Sequence, residues 1–215
     1  MTDRWNKILI FGDSISTANH GDGGYMELLK ASMGAERIEN RAKSSSGLAL
    51  TTPHSLACLL MQDEPFVEEE KMLILIWHGS NDWYWGTPMG CHGNEAGYTF
   101  WGALDYVLKC LRKRYPQADI IWLTPLERVQ RPYGMENVED RAGDNILGLT
   151  LEDYAGALKE AGKRYGFPVI DMKQEAERAG MDIESHFEDK IHPNGAGYVM
   201  INRIISEEIG KIYGV

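Results

Sequence analysis

Leu73-Ile74-Leu75-Ile76 is apolar on four consecutive positions, too continuous a run for a strand with one wet face. Successive strand side chains point to opposite faces of a sheet, so a run of this kind has to be covered on both. Comparable short runs bounded by turn residues recur at 7–11, 72–77, 119–124 and 168–171, with a weaker one at 36–40. Between them, apolar residues fall at helical spacing over 25–33, 53–61, 99–115, 151–165 and 196–213. Thr150 with Asp153 three residues on reads as the capped, acidic start of the fourth of these helices. Strand and helix alternate throughout. The pattern predicts an α/β fold, a three-layer α/β/α sandwich around a five-stranded, mostly parallel sheet. Ligands of such sheets sit beyond the carboxyl ends of the strands, which supplies a test for any proposed site.

A chain of 215 residues suits one core better than two, and residues 1–215 read as a single domain. With 43% apolar and 25% charged residues, the composition excludes collagen-like and disordered readings. There are 22 Lys+Arg against 32 Asp+Glu, a formal charge of −10, and the basic residues are scattered, which argues against a nucleic-acid partner. The longest apolar runs, 56–61 and 72–77, fall far short of the ~18 residues of a membrane span. Residues 1–7 lead into the first strand without an apolar leader, so a cytoplasmic location is expected. Cys58, Cys91 and Cys110 are odd in number and widely spaced, as in a reducing compartment. No cofactor is expected. The glycines of Gly21-Asp22-Gly23-Gly24 belong to neither dinucleotide nor P-loop pattern, and adjacent Cys91 and His92 do not make a metal site.

Chemistry-bearing residues cluster just after the strands. Strand one runs into Gly12-Asp13-Ser14-Ile15, where Ser14 can be a nucleophile or the cap of a following helix. Ser44-Ser45-Ser46-Gly47 follows strand two, where a glycine allows a backbone N–H to approach a ligand. Gly79-Ser80-Asn81-Asp82 follows strand three, and Asn81 can donate its amide to an oxyanion or stabilise a turn. Asp189-Lys190-Ile191-His192 follows strand five, a spacing that lets Asp189 hold one ring nitrogen of His192 and leave the other as a base. His20, His54, His78 and His186 have no partner spacing and read as surface or loop residues. One predicted sheet edge collects all four blocks.

From Phe11 to Pro193, these four blocks resemble the GDSL/SGNH hydrolase family, a flavodoxin-like SGNH hydrolase fold. The resemblance implies a metal-independent serine esterase with Ser14 as nucleophile, His192 as base and Asp189 as orienting acid. It also implies an oxyanion hole of the Ser14 N–H, the Gly47 N–H and the Asn81 side chain. Ile15 stands where the family has leucine, and Asn40 lies further before Gly47 than the family spacing. There is no Gly-x-Ser-x-Gly elbow around Ser14, which argues against the α/β-hydrolase family. The family implies a small-molecule ester substrate, with a thioesterase, a lysophospholipase or a non-catalytic binding module on the same fold as alternatives. The aromatic stretch after Asn81 tilts the reading to a short acyl ester on a carbohydrate. Trp83, Trp85 and Arg128 are the candidate substrate-binding residues. Arg128 opens the irregular stretch 125–149, which follows strand four and so can reach the pocket mouth as a flap, or serve as a surface loop or subunit contact.

Overall fold

A computed structural model describes residues 4–63, 66–94, 96–135 and 143–214. Five strands, β1 (Lys7–Gly12), β2 (Arg37–Asn40), β3 (Met72–Trp77), β4 (Asp119–Leu123) and β5 (Val169–Ile170), pair in the order β2-β1-β3-β4-β5. Every pairing is parallel, with Leu9 opposite Ile74 and Leu75 opposite Ile121. The order reverses direction at β1, placing a topological switch point where β1 and β3 end. Strand β5 is short because it begins after Pro168, which has no N–H to give the ladder, although its carbonyl accepts from Trp122 N (3.1 Å).

Alternating side chains build two cores. Leu9, Phe11, Ile74, Ile76 and Trp122 meet the helices α2 (Leu56–Gln62), α4 (Phe100–Arg114) and α5 (Leu151–Tyr165) on one face. Ile8, Ile10, Leu73, Leu75 and Leu123 meet α1 (Met26–Met33), α6 (Met172–Arg178) and α8 (Gly195–Tyr213) on the other. The consecutive apolar run of β3 is thus divided residue by residue between two helical layers. Two further short helices, α3 (Ser80–Trp85) and α7 (Ile183–His186), lie after β3 and before the C-terminal turn. Helices α3, α6 and α7 escape the sequence pattern because four to seven residues hold too little periodicity. Helix α2 begins at Leu56 and not at 53 because Ser55 caps it, accepting from Cys58 N. Thr150 and Asp153 form the expected reciprocal capping box of α5. Among the described residues, no helix is long and apolar enough to cross a membrane.

Candidate active site

The turn after β1 is shaped by three residues. A Cβ on Gly12 would stand 2.5 Å from Ser16 Oγ, so only glycine lets the chain close into the single 3-10 turn Ser14–Ser16. Asp13, not Ser14, caps that turn, with Oδ1 accepting from Ile15 N (2.9 Å). Asn40 Nδ2 from the end of β2 donates to Ser16 O (2.7 Å), and the Tyr198 hydroxyl from α8 donates to Ile15 O (2.9 Å). The Ser14 hydroxyl is left to face His192.

His192 lies in a turn closed by the bridge between Phe187 and Pro193 and by a bond from Glu188 N to His192 O (2.8 Å). Asp189 Oδ1 accepts from Ile191 N (3.0 Å) and His192 N (2.7 Å), while Oδ2 lies 2.7 Å from His192 Nδ1. Partial burial works to raise the Asp189 carboxyl, but the His192 ring and these two N–H groups outweigh it and hold the acid below its usual range. With a carboxylate on Nδ1, the ring proton belongs there, so Nε2 can accept; it lies 2.8 Å from Ser14 Oγ. The predicted Ser14, His192 and Asp189 are therefore in line, from positions 178 residues apart.

Asn81 occupies the first turn of α3, whose N-cap Gly79 has φ 126°. Its Nδ2 donates to Ser46 O (2.9 Å) and lies 3.3 Å from Asp13 Oδ2. The Gly47 N–H, like the Asn81 amide, is engaged at rest: it donates to Thr52 Oγ1 (3.1 Å), inside its own loop. Glycine is required there for close approach, since a Cβ would stand 2.6 Å from Thr52 and 2.8 Å from Asp82 Oδ2. Asp82 holds the loop, accepting from Leu48 N (2.8 Å) and Ala49 N (2.9 Å). Burial pushes the carboxyls of both Asp13 and Asp82 up to about 6, against the hydrogen bonds they accept. Behind Ser46, His78 is buried and its imidazole is pushed down to about 3, which keeps it neutral.

Trp83, Trp85 and Arg128 divide. Trp83 is buried in the core with Nε1 donating to Gly143 O (3.1 Å), and it lines a cavity of about 520 Å³ together with Arg128, Pro125, Met135 and Leu151. Trp85 is not part of that lining; it packs against Tyr84 and Tyr133, with centroids 5.1 and 4.9 Å away. The Arg128 guanidinium lies over Trp83 and Tyr84 (5.8 and 5.4 Å) and donates to Ser80 Oγ (2.9 Å). Burial lowers its basicity, while Asp13, Tyr84 and Asp189 act in the opposite sense. The stretch 125–149 does reach this edge: Val129 N donates to Lys190 O (3.0 Å) and Tyr133 N to Tyr84 O (2.9 Å). Residues 136–142 of it lie outside the described residues.

His20, expected to be a surface or loop residue, and Glu188, which the pattern did not single out, both stand at the site. His20 is stacked on His192, and its Nδ1 lies 3.1 Å from Glu188 Oε2. The one signal available was the acidic residue directly before Asp189, which makes a second acid in the same turn. Among the described residues, no group of three or more His, Cys, Asp or Glu is placed to hold a metal ion.

A doubly wound parallel sheet with hydroxyl, imidazole and carboxylate in line at its carboxyl edge defines a hydrolase type of site. The model of the GDSL-like Lipase/Acylhydrolase family matches residues 10–200, and the chain belongs to that family of ester-hydrolysing enzymes. Among solved structures, a protein from Lactobacillus plantarum is 24% identical with a TM-score of 0.81, the match covering 99% of each chain. A member of the lipolytic protein G-D-S-L family from Veillonella parvula DSM 2008 is 17% identical (TM-score 0.63, 94% of this chain and 96% of that one). Axe2, an acetylxylan esterase from Geobacillus stearothermophilus, is 16% identical (TM-score 0.62, 95% and 94%). At these identities the likeness is one of fold. A comparison with curated proteins finds no match.

Proposed function

We propose that this ester hydrolase is a single-domain, metal-independent serine esterase working through an acyl-enzyme. The observation that carries the reading is the unbroken relay from Asp189 Oδ2 through His192 to Ser14 Oγ, with contacts of 2.7 and 2.8 Å. As Ser14 Oγ bonds to the ester carbon, its proton passes to His192 Nε2, and Asp189 holds the imidazolium in place. The carbonyl oxygen takes the negative charge against the Ser14 N–H and the Asn81 amide, which turns from its resting acceptors. The alcohol then leaves with the proton from His192, and water attacks the acyl-enzyme by the same route in reverse.

The substrate we infer is a short acyl ester, an acetyl group on a carbohydrate. What supports this is a fold relative that is an acetylxylan esterase; the cavity of about 520 Å³ beside Trp83 and Arg128 does not have Ser14, Asn81 or His192 in its wall, and Trp83 is buried, so the sugar is not assigned to it. Thioesterase and lysophospholipase activities are the competing readings. The test is intact-mass labelling with a fluorophosphonate, with turnover of p-nitrophenyl acetate, an acetylated sugar, an acyl thioester and a lysophospholipid measured in parallel. One adduct on Ser14, turnover lost in Ser14→Ala and a rate unchanged by EDTA are expected. A label surviving Ser14→Ala overturns the mechanism, and preference for the thioester or the long-chain lipid overturns the substrate.

A further inference from the structure

One turn of this chain carries two acids and serves two imidazoles. Asp189 takes Nδ1 of His192 at 2.7 Å, and the adjacent Glu188 takes Nδ1 of His20 at 3.1 Å. The two rings lie face to face, with centroids 3.9 Å apart and planes only 6° from parallel. Glu188 is itself fixed, because its other oxygen accepts from Gly21 N (2.9 Å) and its own N–H donates to His192 O (2.8 Å). His20 does not cap the 3-10 turn that follows it, so its side chain serves no local need of its own loop. Its side chain is three-quarters covered, stacked on His192 and tied to Glu188. The pairing joins the loop after β1 to the turn after α7 across 168 positions.

We propose that His20 is a positioning residue for the reaction: held by Glu188, its ring face confines the His192 imidazole to the Ser14 side and steadies the positive charge that ring acquires. The inference rests on the serine-esterase reading above. On taking the Ser14 proton, the His192 ring becomes an imidazolium. The His20 ring, tied through Nδ1 to the Glu188 carboxylate, presents its π face to that cation, an attraction that grows in the transition state. A cation at position 20 would do the reverse, since two like charges at this separation repel. The contact acts on kcat, because the charge it senses is absent while substrate merely binds.

Three variants test it with p-nitrophenyl acetate and with the rate of fluorophosphonate labelling. His20→Ala removes the face, and kcat is expected to fall about tenfold, the scale of a partly desolvated cation–π contact, with KM little changed. His20→Phe restores a flat face without a titrating nitrogen and is expected to recover most of the loss. Glu188→Gln keeps an acceptor for Gly21 N but loses the carboxylate. It is expected to slow the wild type, yet to have little further effect in the His20→Phe background, where there is no Nδ1 to anchor. Circular dichroism and melting temperature identify variants that fail to fold; if His20→Ala is one of them, His20→Phe and the Glu188 cycle decide. Unchanged kcat in folded His20→Ala, or His20→Phe no faster than His20→Ala, overturns the proposal, as does an equal Glu188→Gln effect in both backgrounds. Failure of wild-type Ser14 to label at all would instead sink the serine-esterase reading, so the two failures are told apart.

Discussion

Asp13 holds the nucleophile turn through Oδ1 and meets the Asn81 amide with Oδ2, from a position only 4% exposed. Burial raises its folded-state pKa to about 6, above the ordinary carboxylate value of 3.8, so the native state binds a proton that the unfolded chain has already released between these pH values. By linkage, wild-type stability contributed at this residue falls as pH rises from about 4 to 6 and is level beyond. Asp13→Asn lacks the titration. Its unfolding free energy, measured by urea titration, should therefore rise relative to wild type across that window by an amount on the order of 3 kcal/mol; a pH-independent difference would show that the carboxylate is not carrying its charge in a buried place. Asn81 is the complementary case, a neutral donor whose value lies in the transition state. Asn81→Ala should lose about 10²–10³ in kcat with the fold intact by circular dichroism, and a loss under threefold would make Asn81 a turn residue only.

Helix α3 is six residues long and cannot stand by its own propensity; it is positioned by Gly79 at φ 126° and by Asp82 bonded to the 48–49 backbone. At Gly79 a Cβ would also lie 3.1 Å from the Pro125 ring. Gly79→Ala should therefore destabilise the protein by about 1–3 kcal/mol and, by rotating the start of α3, depress kcat in proportion to the displacement of Asn81. A variant with wild-type melting temperature and activity would contradict both. Helix α5 is the contrast: fifteen residues, a capping box and an amphipathic face, with no hydrogen bond to Ser14, Asp189 or His192 among the described residues. Thr150→Ala should cost about 1 kcal/mol in denaturant unfolding while leaving the fluorophosphonate labelling rate alone.

At the scale of the molecule, the strap 125–135 is fastened across the sheet edge, Val129 N to Lys190 O on one side and Tyr133 N to Tyr84 O on the other. Val129→Pro deletes the first fastening by removing its N–H. Labelling of Ser14 should slow while the melting temperature moves by less than the ~2–4 °C that about 1 kcal/mol produces in a chain of this size; unchanged labelling would free the strap of any part in the site. Much of this architecture was legible in the residues. The continuous apolar runs marked the strands, since period-two burial on both faces leaves no polar position, and the blocks holding Ser14 and Asn81 directly followed those strands, whereas Asp189 and His192 come after α7. Helices α3, α6 and α7 were not legible, because a helix of one or two turns has no periodicity and is held by its surroundings. Nor was the local economy of Gly47, whose N–H goes to Thr52, because a glycine in a pattern does not say where its donor points. By itself the sequence determined which segments are strands and which residue types end them, because burial periodicity and turn chemistry act over a few neighbours. Only the tertiary structure decided that Arg128 lies over Trp83 and Tyr84, that Trp83 and not Trp85 lines the cavity, and that His20 lies flat on His192. Those contacts join residues brought together by parallel crossovers and the angles of turns, and separations of a few ångströms between distant side chains leave no trace in local pattern.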